Sequence, residues 1–323
     1  MNNVELPKIS VILPNYNGGK TIEKALKSVF DQNYENLEVL VVDGASNDAS
    51  VSIIQKFESK ITWWISEPDT GQSNAINKGF QQSTGEIITW LCTDDMLAID
   101  CLKIVAEAFR DRSIDVVVGQ GLMLNKGYDT PSVMRDNQEM IKTLHSFLGL
   151  TQTSIRLSAS NKNSYLKAPK LQHIALLPAY NPISQPSCFY RRRLIQRHYL
   201  VDESYNYIMD AELWTYFKSR NAVWKCLDSV LSIAIQDGNN KTSTGGRKIL
   251  AELERLYVSY STEKIPLTVW HRRLRFPLEQ FIARHPKTIW LYPAGAAWLA
   301  ITLLLAPFYG LDKVWFMRWK RWA

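Results

Sequence analysis

The sequence is poor in cysteine. Its four cysteines, Cys92, Cys101, Cys188 and Cys226, lie far apart in a chain of 323 residues, and none forms a CxxC pair. That spacing argues against a zinc site and for reduced thiols in a cytosol. The N-terminus, MNNVELPKISVIL, lacks the basic n-region and long apolar h-region of a secretory signal. Internal repeats and low-complexity tracts are absent. Acid is scarce at one end only: residues 263–323 hold 10 basic and 3 acidic side chains, whereas residues 1–262 hold 28 of each sign. The whole net charge of +7 therefore sits in the tail. A nucleic-acid binder carries its charge on a folded basic face with interleaved aromatics, so no nucleic-acid partner is expected. A basic tail rich in tryptophan points to an anionic membrane surface instead.

Apolar residues are plentiful. At 46% hydrophobic and 21% charged, the chain can build one large domain or two small ones. Eleven Trp and fourteen Tyr suit sugar, membrane or large-core contacts. Up to about residue 120, strand and helix patterns alternate. Residues 8–13, 37–42, 61–65, 86–91 and 116–118 read as strands. Residues 21–31, 48–57, 73–82 and 99–110 read as helices, the first with Ile22, Ala25, Leu26 and Val29 on one face. This order predicts an α/β fold with a mostly parallel sheet covered by helices on both faces. Ligands of such sheets sit at the carboxyl ends of the strands. The loops 14–19, 43–48 and 93–95 should therefore converge on one crevice. Residues 120–187 are less regular and suit an acceptor-facing insertion, and helical spacing returns at 207–218.

Each polar loop offers chemistry and a plainer use. In "PNYNGG", residues 14–19, two glycines permit close approach of a ligand, Asn15 and Asn17 offer amides, and Tyr16 offers a ring for a base. A plain strand-to-helix turn would use the same residues. The loop matches neither GxGxxG nor GxxxxGK[ST], so the common dinucleotide and P-loop fingerprints are missing. In "VVDGASNDAS", Asp43 stands at a strand end, where it can accept hydrogen bonds from a base or ribose, while Asn47 or Asp48 suits a helix N-cap. Lys78 could neutralise a phosphate, although an exposed helical lysine is ordinarily just solvated.

"LCTDDML" runs from an apolar strand into Asp94 and Asp95. Adjacent like charges repel, so something positive belongs there. Two carboxylates at a strand end suit a hard divalent cation, Mg²⁺ or Mn²⁺, whose remaining ligands are phosphate oxygens and water. A turn with solvated aspartates would look the same. In "YIMDAELW", Asp210 and Glu212 lie among apolar and aromatic residues. A carboxylate in such surroundings can act as a general base. Asp210 shares a helical face with Leu213 or Trp214, and Glu212 points elsewhere; a helix N-cap is the plainer use of Asp210.

Taken together, "ISVILPNYNGG", "VLVVDGASNDAS", "GQSNAINKGFQQSTGEIITWL", "TDD" and "MDAELW" resemble the family 2 glycosyltransferases, inverting enzymes of the GT-A fold. The likeness covers about residues 8–119 closely, with further matches at Gln185-Pro186 and at residues 210–214. The resemblance implies that Pro14, Tyr16 and Asn17 line the nucleoside pocket and that Asp43 binds the base. It implies that Asp94 is the ribose- or metal-side member of a DxD-type motif, Asp95 the metal ligand and Asp210 the base that deprotonates the acceptor hydroxyl. The donor would be a nucleotide-diphosphate sugar, with uridine diphosphate the commonest family choice. The acceptor would be a saccharide or a lipid-linked saccharide. Two positions depart from the family pattern: Cys92 replaces an aspartate, and Ile76 replaces an arginine, which leaves one phosphate contact unassigned.

The expected organisation is a GT-A domain with its nucleotide-sugar part at 1–120 and its acceptor side at 121–262, followed by a C-terminal helical, apolar and basic extension at 263–323. Two rival functions share parts of the pattern. A sugar-phosphate nucleotidyltransferase would carry a basic glycine-rich loop, but "PNYNGGK" has just one lysine. A non-catalytic nucleotide-sugar-binding module would not need Asp210. In the extension, residues 288–311 carry no charge, but Pro293 and Pro307 interrupt them. Residues 294–306 would span roughly 20 Å, short of a hydrocarbon core of about 30 Å. Trp315, Trp319 and Trp322, with Arg318, Lys320 and Arg321 around them, resemble an interfacial helix. The expectation is peripheral or monotopic attachment to the cytoplasmic face of a membrane.

Overall fold

The computed structural model describes residues 6–125, 164–167, 169–175, 177–178, 181–236, 241, 246–261, 269–270, 273–274, 276–278, 281 and 291–309. Strands β1 (Ile9–Asn15), β2 (Leu37–Asp43), β3 (Trp63–Ser66) and β4 (Ile87–Trp90) form a parallel half-sheet in the order β3-β2-β1-β4. Every residue of β1 is buried, as expected of a central parallel strand covered on both faces. Helices α1 (Ile22–Phe30), α2 (Ser50–Lys56), α3 (Gln72–Gln82) and α4 (Cys101–Ala108) follow their strands in turn. The buried residues of α1 include Ile22, Ala25, Leu26 and Val29, the face its spacing predicts. Helix α3 lies so close to the sheet that a Cβ on Gly79 would stand 2.4 Å from Ile12 Cγ2, so only glycine fits there.

The second half of the sheet is mixed. Strands β5 (Asp95–Leu97), β6 (Val116–Asn125), β7 (Ser164–Lys167), β8 (Cys188–Arg191) and β9 (Trp224–Gln236) complete nine strands among the described residues. β8 runs antiparallel between β4 and β6, β9 runs parallel to β6, and β5 closes antiparallel on β9. The mostly parallel arrangement foreseen holds from β1 to β4 and again between β6 and β9. Beyond β4, strands distant in sequence pair with both polarities. The division expected at residue 120 falls inside β6, so the residues on either side of it share one continuous sheet, as parts of one domain should.

Three further helices and one short turn of helix complete the described chain: α5 (Leu171–Ile174), α6 (Met209–Ser219), α7 (Gly246–Tyr260) and α8 (Leu291–Tyr309). Much of the aromatic content goes into the core beneath α6. Trp90 and Trp214 stack with ring centroids 5.8 Å apart, and Tyr190 meets Phe217 at 5.0 Å. Truncating such a ring costs about 3–5 kcal/mol, so this cluster holds α6 firmly on the sheet.

Helix α8 corrects the expectation that prolines break the apolar tail, because it runs through both Pro293 and Pro307. Pro293 lies in the first turn, where a missing N–H loses no partner, and Pro307 lies in the last turn. Among the described residues no helix is long and apolar enough to cross a membrane. Trp315, Arg318, Trp319, Lys320, Arg321 and Trp322 lie outside the described residues.

Candidate functional site

The three polar loops do meet, and Asn15 ties them together. At the end of β1 it stands in register with Asp43 at the end of β2. Its amide nitrogen donates to Asp43 Oδ1 at 2.6 Å, and its amide oxygen accepts from Thr93 Oγ1 beyond β4 at 3.1 Å. A Cβ on Gly18 would lie 2.2 Å from that amide oxygen, so the turn can close over Asn15 only with glycine. Asn17 adopts φ 51, in the left-handed region, and latches onto the second loop. Its N–H donates to Ser46 Oγ at 2.8 Å and its side-chain oxygen accepts from the Asn47 N–H at 3.0 Å. Asp48 accepts from the N–H groups of Gly19 and Ser50, bridging the loop to the start of α2.

Asp43 is fully buried. Besides Asn15 it accepts from the Ser46 N–H at 2.9 Å, Ser46 Oγ at 2.5 Å and Ser66 Oγ at 2.7 Å. Those four bonds fill the acceptor positions of a carboxylate. Pro14 is buried within β1, paired opposite Val42. Tyr16 is 68% exposed, with its ring edge over Gly44, leaving an aromatic face open at the mouth of the crevice.

The acidic turn lies beside this scaffold. The Asp95 N–H donates to the Cys92 carbonyl at 2.9 Å, which folds residues 92–95 back on themselves. The ligand atoms of Cys92, Asp94 and Asp95 all lie within 4.8 Å of one another, close enough to hold a single ion. Burial, and then the neighbouring Asp94, push the Asp95 carboxyl well above its usual range. The Cys92 thiol is pushed up by burial and by Asp95, Asp94 and Asp210. A divalent cation would reverse both effects.

Asp210 lies in the first turn of α6. Its charge adds to burial and to those of Asp95 and Asp94 in raising the Cys92 thiol. Its Oδ1 accepts from the Ala211 N–H at 2.8 Å, and its Oδ2 faces Asn181 Nδ2 at 3.5 Å. Glu212, two residues on, is buried in a two-pronged bond with Arg197 at 3.0 and 2.9 Å and accepts from the Tyr260 hydroxyl at 3.1 Å. Glu212 is therefore structural, as its position off the Asp210 face predicts.

Two residues of α3 bear on the phosphate contact that the resemblance leaves unassigned. Ile76 is fully buried in the core. Lys78 pairs with Glu67 at 2.6 Å and donates to the Pro68 carbonyl at 3.2 Å, so it is engaged with the protein rather than simply solvated. A different lysine, Lys241, stands close enough to Cys92 for their charges to interact. Burial lowers its ammonium pKa.

Sequence reasoning assigns no role to several site residues. Gln72 at the start of α3 donates to Cys92 Sγ at 3.0 Å. Gln185 donates to the Trp90 carbonyl at 2.8 Å and faces the Cys92 thiol at 3.7 Å. Glu252, on α7, accepts from the N–H groups of Asn206 and Tyr207 at 2.8 Å and of Ile208 at 3.2 Å, just ahead of α6. Gln72 and Gln185 fall inside stretches that carry the family resemblance, though neither was singled out for a role; Glu252 falls in none.

Residues 10–161 match the family model described as Glycosyl transferase family 2. An uncharacterised glycosyltransferase of Nostoc sp. is 32% identical over 110 residues, 33% of this chain and 34% of the relative. The Campylobacter jejuni GalNAc(5)-diNAcBac-PP-undecaprenol beta-1,3-glucosyltransferase is 34% identical over 102 residues, 30% of this chain and 33% of the relative. The chain thus matches about a third of the length of each of these relatives. Among solved structures, S. aureus TarS 1-349 superposes with TM-score 0.57 at 18% identity, over 96% of this chain and 88% of that one. The Pyrobaculum calidifontis mannosyltransferase PcManGT, in complex with GDP-Man and Mn²⁺, superposes with TM-score 0.55 at 18% identity, over 98% and 85%.

Proposed function

We propose that this chain, whose residues 10–161 match the Glycosyl transferase family 2 model, moves a sugar from a nucleotide-diphosphate donor to a hydroxyl acceptor with inversion at C1. The fold is of the GT-A type. The observation that carries the proposal is the cluster of Cys92, Asp94 and Asp95 beside the loops that Asn15 joins, with Asp210 at the start of α6. TarS has been solved with UDP-GlcNAc, which supports a uridine-linked donor. The undecaprenol-linked saccharide in the name of the Campylobacter relative supports a lipid-linked acceptor.

Each residue has a part in that reaction. The exposed ring of Tyr16 stacks the base, and the latched loops around Asn15, Asn17 and Asp43 hold the nucleoside. Asp95, with Asp94 and Cys92, would hold Mn²⁺ or Mg²⁺, which when bound supplies positive charge for the leaving diphosphate. Lys241 adds a cation on the same side. Asp210 accepts the proton of the acceptor hydroxyl as that oxygen attacks C1, and Asn181 orients its carboxylate.

The extension completes the proposal. Leu299, Leu303, Leu304 and Phe308 of α8 are exposed, while the surrounding tail is basic. This combination supports attachment to an anionic, cytoplasmic membrane face, where a lipid-linked acceptor would be met.

A screen of nucleotide sugars with manganese present tests the function. Release of nucleoside diphosphate from one donor supports transfer. Release of pyrophosphate from a sugar phosphate and a nucleoside triphosphate would favour a nucleotidyltransferase.

A further inference from the structure

We propose that Cys92 is itself a ligand of the cation site, and that the site therefore also takes thiophilic divalent ions, Co²⁺, Zn²⁺ or Cd²⁺, through a metal–sulfur bond. The proposal deepens the metal-dependent reading above and rests on it. Among the described residues, the cluster of Cys92, Asp94 and Asp95 brings a sulfur and two carboxylates within 4.8 Å of one another. The family pattern places an aspartate where this chain has Cys92, so a hard oxygen donor has been exchanged for a soft one.

The sulfur is aimed by its surroundings. Gln72, from α3, donates to Sγ at 3.0 Å. Gln185 is held by its own bond to the Trp90 carbonyl at 2.8 Å, and its amide oxygen accepts from Cys92 Sγ at 3.7 Å. Two amides from separate elements thus hold Sγ in place. An amide donor to sulfur also stabilises the thiolate that binds metal, the service outer partners give to metal ligands. On binding, the S–H bond breaks, its proton passes to solvent, and the sulfur electron pair forms the bond to the ion. Thiolate selects softer ions, and Co²⁺ and Zn²⁺ bind mixed donor sets more tightly than Mn²⁺.

Cobalt makes the sulfur visible. Titrating the full chain with Co²⁺ should produce a near-ultraviolet sulfur-to-cobalt charge-transfer band that saturates at one equivalent. Cys92→Ser should abolish the band and weaken Co²⁺ binding at least about tenfold, the lower end of what loss of an outer partner costs. Mn²⁺ binding, read by electron paramagnetic resonance, should change less. A second measurement needs no cysteine variant: Cd²⁺ should protect Cys92 from iodoacetamide, read by peptide mass, and Asp95→Ala should remove the protection. Mn²⁺ binding without a sulfur band, or a band that survives Cys92→Ser, overturns this inference and leaves the metal reading standing. Failure of every ion to bind overturns both.

Discussion

Glu252 on α7 accepts the backbone N–H of Tyr207 at 2.8 Å, three residues ahead of Asp210. It takes the neighbouring N–H groups of Asn206 and Ile208 as well, so one carboxylate holds the whole entry into α6. A negative charge at that end also suits the helix dipole. Asp210 owes its position at the start of α6 to a residue far away in sequence.

Glu252→Ala should therefore lower the turnover of sugar transfer by at least about tenfold, because small misplacements of a catalytic group are costly. The KM for the donor should stay within about twofold of its parental value, since the donor-side residues are not touched. Glu252→Gln, which keeps an acceptor oxygen, should restore part of the rate. Equal losses in both variants, with a raised donor KM, would mean that Glu252 is only structural.

Asp210 and Glu212 should behave as opposites. Asp210→Asn should keep donor binding and lower transfer at least about a hundredfold, the usual scale of general-base loss. Glu212→Gln leaves Arg197 buried without its partner, which should cost about 3–5 kcal/mol in urea unfolding. Parental turnover in Asp210→Asn would remove it as the base.

Glu38 provides a pH signature for the fold. It is 3% exposed and bridges β2 to residues 84–85 and to Lys8. Burial raises its pKa, but hydrogen bonds from Ser10, Thr84 and Lys8 outweigh that and bring it to about 2 from 4.5. A carboxylate lowered in the folded state stabilises fully above its unfolded value. That stability is lost as pH falls from 4.5 towards about 2. The shift corresponds to about 3 kcal/mol at neutral pH. Urea unfolding should show Glu38→Gln less stable by roughly this amount at neutral pH, with the gap narrowing steadily below pH 4.5. A gap independent of pH would contradict the assignment.

The exposed apolar face of α8 predicts flotation of the full chain with anionic vesicles. Removing residues 265–323, or placing Asp at both Leu303 and Phe308, should leave the protein in the soluble fraction. Recovery of the intact chain away from anionic vesicles would remove the membrane proposal.

Strands β1 to β4 were legible because each is a short apolar run closed by turn residues, and α1 because it shows one apolar face. β5 was hidden because its three residues become a strand only by pairing with β9, far downstream. β9 itself drew no notice in "WKCLDSVLSIAIQ", since its pairing with β6 is long-range and irregular near Val118. Asp210 stood out because a carboxylate among aromatics is costly. Glu252 did not, because a glutamate in "AELERL" looks solvated on any helix. The loop residues were visible as polar groups at strand ends, but Asn15's bonds to both Asp43 and Thr93 follow from packing alone.

The most direct test of metal-dependent sugar transfer at this crevice is nucleoside diphosphate release from the preferred nucleotide sugar, with and without Mn²⁺, in the parental chain and in Asp95→Ala. The account predicts release by the parental chain with Mn²⁺, and release near background when either the ion or Asp95 is missing. Undiminished release from Asp95→Ala, or equal release with the ion chelated, would contradict it.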